Sequence, residues 1–323
     1  MRTVLGVLAC IAGIAVSHAA EPAKPAPIAA KPAPAQPQAP RLNYELTLVD
    51  MQGQKKVLAT LPDSVFAPRV SPDGKRVAFE LLDAPVPGEP QLTRIQVASI
   101  DDLDKRRALQ PTVTARRHVA PVWSPDGDWI AFVATGNAAD AIFRERSDGS
   151  IQPRYLVDGR AVEGLYEGGF QEAGRMVFIT LKGEKDYGIS MMDLGSMQVT
   201  RLVDLPGSAQ HSSRVSPDGK WLAYASDETS RQEVWLEPLP ITGKRYQITR
   251  DGGAHPQWSP DGGKLYFDTG GRLYSTTLAT SGEPVASAPV ALPIQGFQQG
   301  AARRQYDLTP DGKSFLMLFP KAP

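Results

Sequence analysis

Ser216-Pro217-Asp218-Gly219 is the clearest copy of a tetrapeptide on which the fold prediction depends. The other copies are Ser71-Pro72-Asp73-Gly74, Ser124-Pro125-Asp126-Gly127, Ser259-Pro260-Asp261-Gly262 and, with Thr first, Thr309-Pro310-Asp311-Gly312. Proline presets φ for the second position of a type I turn, Asp is tolerated at the third, and Gly adopts the positive φ that closes a bulged hairpin. Each copy therefore predicts a tight turn between two strands.

The spacing of these turns indicates a repeat. Their glycines are 43 to 53 residues apart, except for an interval of 92 residues between Gly127 and Gly219. Halfway through it, residues 170–179 lack Ser-Pro-Asp but keep Gly174 and an apolar strand, which restores the spacing. The third and fifth residues after each glycine are all apolar: Val77 and Phe79, Ile130 and Phe132, Val177 and Ile179, Leu222 and Tyr224, Leu265 and Phe267, Phe315 and Met317. This alternation predicts a buried strand after every turn.

Four strands are expected in each unit; in the fourth unit they are residues 214–216, 221–226, 233–237 and 245–249. The sixth unit has room for only two strands before the chain ends, and residues 44–49 and 56–61 look like its third and fourth. The sequence thus predicts an all-β, six-bladed β-propeller of 24 strands, closed by N-terminal strands that complete the last blade.

The N-terminal region predicts export. Residues 1–20 contain one Arg, an apolar run and a small-residue end, the layout of a cleavable signal peptide. Cys10 lies inside the apolar run, so lipidation is not expected there. Residues 21–41, mostly Ala and Pro, predict a disordered linker, and residues 42–323 predict the propeller. The expected location is the periplasm or the exterior.

Composition narrows the classes of partner. The formal net charge is zero, which favours neither nucleic acid nor an anionic membrane, and no membrane span is expected because the N-terminal apolar run is short. Cys10 is the only cysteine, so the mature protein would contain no disulfide. A monomer is expected.

The stretch from Trp123 to Phe132 resembles the repeat of TolB-like six-bladed propellers, as do residues 221–235 and 256–262. The longer run is also similar to extracytoplasmic propellers found alone or behind bacterial regulatory kinases. The resemblance implies the propeller fold and binding to an envelope or periplasmic protein. TolB carries a folded α/β domain where this chain has the linker, and prolyl-oligopeptidase-like enzymes carry a hydrolase domain for which no room remains before Pro323. A complete TolB role and that hydrolase activity are therefore not expected.

Motifs for catalysis are missing from the sequence. It contains no G-x-S-x-G elbow, H-E-x-x-H pair, EF-hand loop or phosphate-binding glycine motif, so no catalytic residue and no cofactor is predicted. His118, His211 and His255 each precede a turn and could converge on a channel mouth to hold a divalent metal, as in propeller lyases. Their offsets from the turn glycine, nine, eight and seven residues, favour unrelated loop histidines instead.

Connecting segments opposite the turns are the predicted contact surface, within residues 82–91, 112–120 and 296–304. Candidate partner or ligand residues on this face are Arg116, Arg117, Tyr166, Arg303 and Arg304; the arginine pairs could receive an acidic partner, or could form a solvated rim. The sequence therefore predicts a non-enzymatic protein-binding propeller or scaffold. The alternatives are a small-molecule or glycan receptor and a metal-dependent lyase or hydrolase.

Overall fold

The structure is a computed structural model that describes residues 43–62, 64–83, 91–110, 115–136, 140–158, 165–172, 174–182, 186–300 and 303–321. Only the backbone is described at residues 158, 165–172, 175–182 and 186. The predicted signal peptide and linker lie outside these residues. In the described part there are strands and turns but no helix, and hence no helix that could cross a membrane.

In the described part of the chain, twenty-five strands form five sheets, and the eight-stranded sheet consists of two antiparallel groups joined only by a parallel pairing of Thr93 with Arg117. We divide that sheet at this pairing and call the resulting six groups blades 1 to 6. In chain order they are β1 (Tyr44–Asp50) and β2 (Lys55–Leu61) of blade 6; β3 (Val65–Val70), β4 (Arg76–Leu82), β5 (Thr93–Ser99) and β6 (Asp102–Ala108) of blade 1; β7 (Arg117–Trp123), β8 (Trp129–Thr135), β9 (Ala141–Arg146) and β10 (Arg154–Asp158) of blade 2; β11 (Leu165–Glu172), β12 (Arg175–Lys182), β13 (Asp186–Asp193) and β14 (Val199–Val203) of blade 3; β15 (Gln210–Val215), β16 (Trp221–Ser226), β17 (Glu233–Pro238) and β18 (Tyr246–Gln247) of blade 4; β19 (Ala254–Trp258), β20 (Lys264–Thr269), β21 (Arg272–Ala279), β22 (Val285–Ala286) and β23 (Val290–Gln295) of blade 5; and β24 (Tyr306–Leu308) and β25 (Ser314–Pro320) of blade 6.

The two ends of the described chain meet in blade 6, whose strand order is β2-β1-β25-β24. β1 pairs antiparallel with β25 without a bulge, from Tyr44 opposite Pro320 to Asp50 opposite Ser314. The first strands of neighbouring blades lie side by side, with β24 next to β3 and β15 next to β19. The prediction that N-terminal strands complete the last blade is confirmed.

Blade 5 has one strand more than the sequence predicted. Its outer side is divided into β22 and β23, which both pair with β21, so the described residues form 25 strands where the sequence predicted 24. In blade 4 the predicted outer strand at 245–249 shrinks to Tyr246–Gln247, because the chain turns away after two paired residues. The inner strand β15 begins at Gln210, earlier than predicted, because a bulge between His211 and Arg214 lets pairing continue.

The tetrapeptide forms the predicted turn. At the first copy, Gly74 has a φ of 70° and its N–H donates to Ser71 O at 2.8 Å. The Ser71 hydroxyl donates to Asp73 and accepts the N–H of Arg76, so it ties the turn to the start of β4. The hydrogen bond from Ser71 lowers the pKa of Asp73 below its usual value, with the N–H of Lys75 as the next cause. The turn is therefore held by its own side chains.

Apolar cores fill the space between blades. In the units whose side chains are described, the third and fifth residues after each turn glycine are buried: Val77, Phe79, Ile130, Phe132, Leu222, Tyr224, Leu265, Phe267, Phe315 and Met317. The equivalent Val177 and Ile179 lie on strand β12, outside the described side chains. Two tryptophans add a bond between blades, since Trp123 donates to Arg69 O and Trp258 to Arg214 O, each at 3.2 Å.

Candidate functional site

A bulge recurs in the inner strands, seven residues before the turn glycine. The residue there has a left-handed backbone in four blades: Ala67 (φ 49°), Ala120 (φ 54°), Ser212 (φ 55°) and His255 (φ 52°). A bulge removes one residue from the strand ladder, so its N–H needs another acceptor. Ala67 N–H donates to Gln305 Oε1 and Ala120 N–H to Glu80 Oε1, both at 2.8 Å. The inner strands are thus linked to neighbouring blades by polar side chains.

Arg303 and Arg304 belong to this linking network. Arg303 donates to both Glu80 oxygens, at 2.7 and 3.0 Å, and thereby connects the segment before β24 to blade 1. Arg304 is 3% exposed; it donates to Asp307 at 2.8 Å and also to Gln257 of blade 5. Carboxylates neutralise both guanidinium groups, so the two arginines act as structural links between blades.

Arg116 and Arg117 differ from Arg303 and Arg304, because the side chains of Arg116 and Arg117 are exposed. Arg117 is the first residue of β7, and the next turn follows Trp123 at the other end. Seven residues of strand span about 20 Å. Within the described part of the chain no carboxylate forms an ion pair with either arginine. They therefore present positive charge opposite the turns.

His118 lies against the core of blade 2. It is 3% exposed, and its ring centroid is 4.9 Å from that of Phe132. Burial lowers its pKa to about 4, helped by the charge of Arg94. His118 is therefore a neutral packing residue near neutral pH.

His211 and His255 come together between blades 4 and 5. Their ring centroids are 5.9 Å apart and both residues are 3% exposed. His255 Nδ1 lies 2.8 Å from Asp268 Oδ1, and His211 Nδ1 lies 3.0 Å from the Ser212 hydroxyl. The structure therefore brings two of the three predicted histidines together and places His118 in a different core.

Metal binding by three or more protein side chains finds no support, because among the described residues no such group of His, Cys, Asp or Glu exists. Tyr166 lies on strand β11, and its side chain is outside the described part of the structure. Its predicted contact role stays a prediction.

A cleft of about 900 Å³ separates the outer edges of blades 4 and 5. One wall is formed by residues 245–252 and the other by residues 284–289. Tyr274 contributes a half-buried ring to the lining, and this ring is stacked on the buried ring of Phe267 with centroids 5.7 Å apart. The cleft exists because both bordering strands, β18 and β22, have only two residues. Its aromatic surface and volume suit a small ligand.

Comparisons with known proteins identify the fold. No protein-family model matches the chain, and no curated protein sequence matches it. A protein of Agrobacterium tumefaciens assigned as TolB has a TM-score of 0.65 at 19% identity, covering 87% of this chain and 99% of that one. The chain has a TolB-like propeller fold. Kuenenia stuttgartiensis hydrazine synthase has a TM-score of 0.58 at 16% identity, covering 85% of this chain and 89% of that one. An oligogalacturonate lyase in complex with manganese has a TM-score of 0.54 at 14% identity, covering 86% and 83%.

These neighbours differ in their chemistry, so the function of this TolB-like propeller has to be argued from its own residues.

Two buried acidic residues that bond to inner strands were not predicted from the sequence. Glu80 and Asp268 each lie six residues after a turn glycine, on the second strand of a blade, where the other units have uncharged residues. An acidic residue at that position of an apolar strand is the signal that would have found both. Each is buried, and each accepts a bond from an inner strand.

Proposed function

We propose that this TolB-like propeller is an exported, non-enzymatic protein that binds a protein partner in the cell envelope. The observation that carries the proposal is the exposed Arg116–Arg117 pair on the connecting-segment face, in contrast to the half-buried Arg303 and the buried Arg304, which carboxylates neutralise. Exposed charges that form no ion pair with the described residues can steer and orient association with a surface of opposite sign. The partner would present an acidic surface to that face.

Other features support parts of this proposal. The signal-like layout of residues 1–20 supports export. The absence of a catalytic motif from the sequence supports a binding role. The cleft between blades 4 and 5 favours the second candidate, a small-molecule or glycan receptor, because its volume of about 900 Å³ and the half-buried ring of Tyr274 on its lining suit a small ligand with an apolar face.

Charge reversal tests the partner proposal. The double variant Arg116→Glu/Arg117→Glu is compared with Lys220→Glu, an exposed lysine directly after the turn of blade 4. Each protein captures partners from envelope extract at two salt concentrations, with quantification by mass spectrometry. We expect one protein to be enriched by the wild type and by Lys220→Glu, to be lost with the double variant, and to weaken at high salt. Equal capture by all three proteins, or no enrichment, would contradict the proposal.

A further inference from the structure

Asp268 fixes the orientation of the His255 ring. In the neutral form of the His255 ring, the contact between Nδ1 and Asp268 Oδ1 requires the proton on Nδ1, because a carboxylate only accepts, and the lone pair is then on Nε2. That Nε2 atom is buried and has no hydrogen-bond partner among the described groups. A buried polar atom without a hydrogen-bond partner is usually satisfied by an ion, a water molecule or a ligand.

The distance between the two ring centroids is compatible with a shared ion. A metal ion lies about 2.0–2.1 Å from an imidazole nitrogen, so two imidazoles on one tetrahedral ion have centroids roughly 5–6 Å apart. The observed separation between His211 and His255 is 5.9 Å, with an interplanar angle of 51°. The rings come from different blades, β15 and β19, so an ion between them would also join those blades.

The chemistry of the groups selects the class of ion. Neutral imidazole suits zinc, copper and nickel, whereas magnesium and calcium prefer oxygen ligands. A carboxylate behind a ligating histidine is the usual arrangement in such sites, where it orients the ring and raises its basicity.

We propose that His211 and His255 bind one divalent transition-metal ion, with Asp268 as the residue that positions His255. Because the described residues supply no third His, Cys, Asp or Glu ligand, water completes the coordination shell. The site is independent of the partner proposed above.

Direct titration tests the metal site. The mature protein, prepared without a histidine tag and stripped with a chelator, is titrated with Zn²⁺ by calorimetry and with Co²⁺ by visible absorption. We expect one ion per chain. Asp268→Asn should weaken the affinity by about 10- to 100-fold, and His255→Asn should abolish stoichiometric binding. Asn is chosen at position 255 because it tolerates the positive φ of 52° found there.

His118→Gln is the matched control, since it changes the remaining histidine of the predicted mature chain without touching the pair. It should bind metal like the wild type. Copper bound to the wild type should show coupling to two nitrogens by paramagnetic resonance, and to one after His211→Gln. Circular dichroism shows that each variant is folded. The proposal would be overturned if the wild type bound no stoichiometric metal, in which case an ordered water would lie at Nε2. It would also be overturned if His118→Gln lost metal binding to the same extent as His255→Asn.

Discussion

The three histidines that precede turns have different roles, and the residues around each histidine decide its role. His118, His211 and His255 precede their turns by nine, eight and seven residues, which the sequence showed directly. Their surroundings could not be predicted, because a shift of one residue in a strand moves a side chain to the other face and each inner strand is also bulged. His118 consequently packs on Phe132, whereas His255 turns to Asp268.

His118 makes the fold sensitive to acid. Its pKa is lowered to about 4 in the folded protein, from about 6.5 in the unfolded chain. Between these values the unfolded state binds more protons, so the free energy of unfolding falls as pH decreases from 6.5 to 4. Between pH 6.5 and 5 the loss should be roughly 1.5 kcal/mol.

Urea unfolding at several pH values measures this effect. His118→Gln cannot titrate, so its free energy of unfolding should fall less between pH 6.5 and 5 than that of the wild type, whatever its stability at pH 7.5. An identical pH slope for both proteins would show that His118 does not titrate abnormally.

Among the elements, the turn has a second role that the sequence did not show. The glycine of one turn lies next to the proline of the turn in the preceding blade. A Cβ built on the glycine would lie 3.6 Å from Pro72 at Gly127, 3.7 Å from Pro217 at Gly262, 3.8 Å from Pro310 at Gly74, and 3.0 Å from Pro260 at Gly312. The turns therefore touch around one end of the inner strands. Local propensity predicts the bend, but this contact depends on the ring.

Gly312 and Gly174 together test how strongly the turn requires glycine, since they differ both in φ and in the contact with the neighbouring turn. Gly312 has a φ of 70°, and a Cβ there would meet Pro260 Cδ at 3.0 Å and Cγ at 3.2 Å. Gly174 lies in the turn without Ser-Pro-Asp, outside the left-handed region, and a Cβ there would have no neighbour within 4 Å among the described residues. Gly312→Ala should lower the free energy of unfolding by about 1–3 kcal/mol, from backbone strain and the close contact.

Gly174→Ala should change stability by less than about 0.5 kcal/mol. Chemical unfolding of both variants beside the wild type gives the comparison. A Gly312→Ala protein as stable as the wild type would refute the contact between turns.

For the whole molecule, the sequence predicted the fold more completely than the site. Turn chemistry and apolar alternation are local, so six units and the shared blade could be found from the residues alone. The polar links could not, since Glu80 meets Arg303 only after β24 has come to lie beside β3. The outer edge of blade 5 also escaped prediction, because its exposed Val285 and Val290 do not show the alternation of a buried strand.

Closure of the ring by β1 and β2 leads to the last prediction. Their side chains Leu46, Val49 and Leu61 are 0%, 0% and 3% exposed. Burying a Leu or Val side chain stabilises a protein by about 1.5–3 kcal/mol, while a whole domain is stable by only about 5–15 kcal/mol. A chain that begins at Ser64 loses these side chains and leaves one edge of β25 unpaired. We expect it to unfold without a cooperative transition and to aggregate through that edge.

A chain that begins at Asn43 is the control and should unfold with the same urea midpoint as the mature protein. Size-exclusion chromatography and urea titration distinguish the outcomes. Because β1 pairs with β25 through main-chain bonds, a synthetic peptide of residues 43–62 should bind the shortened chain and restore part of its cooperativity, as strand addition does at an open edge. If the chain that begins at Ser64 unfolds cooperatively at the wild-type midpoint without the peptide, closure through blade 6 is not what holds the ring together.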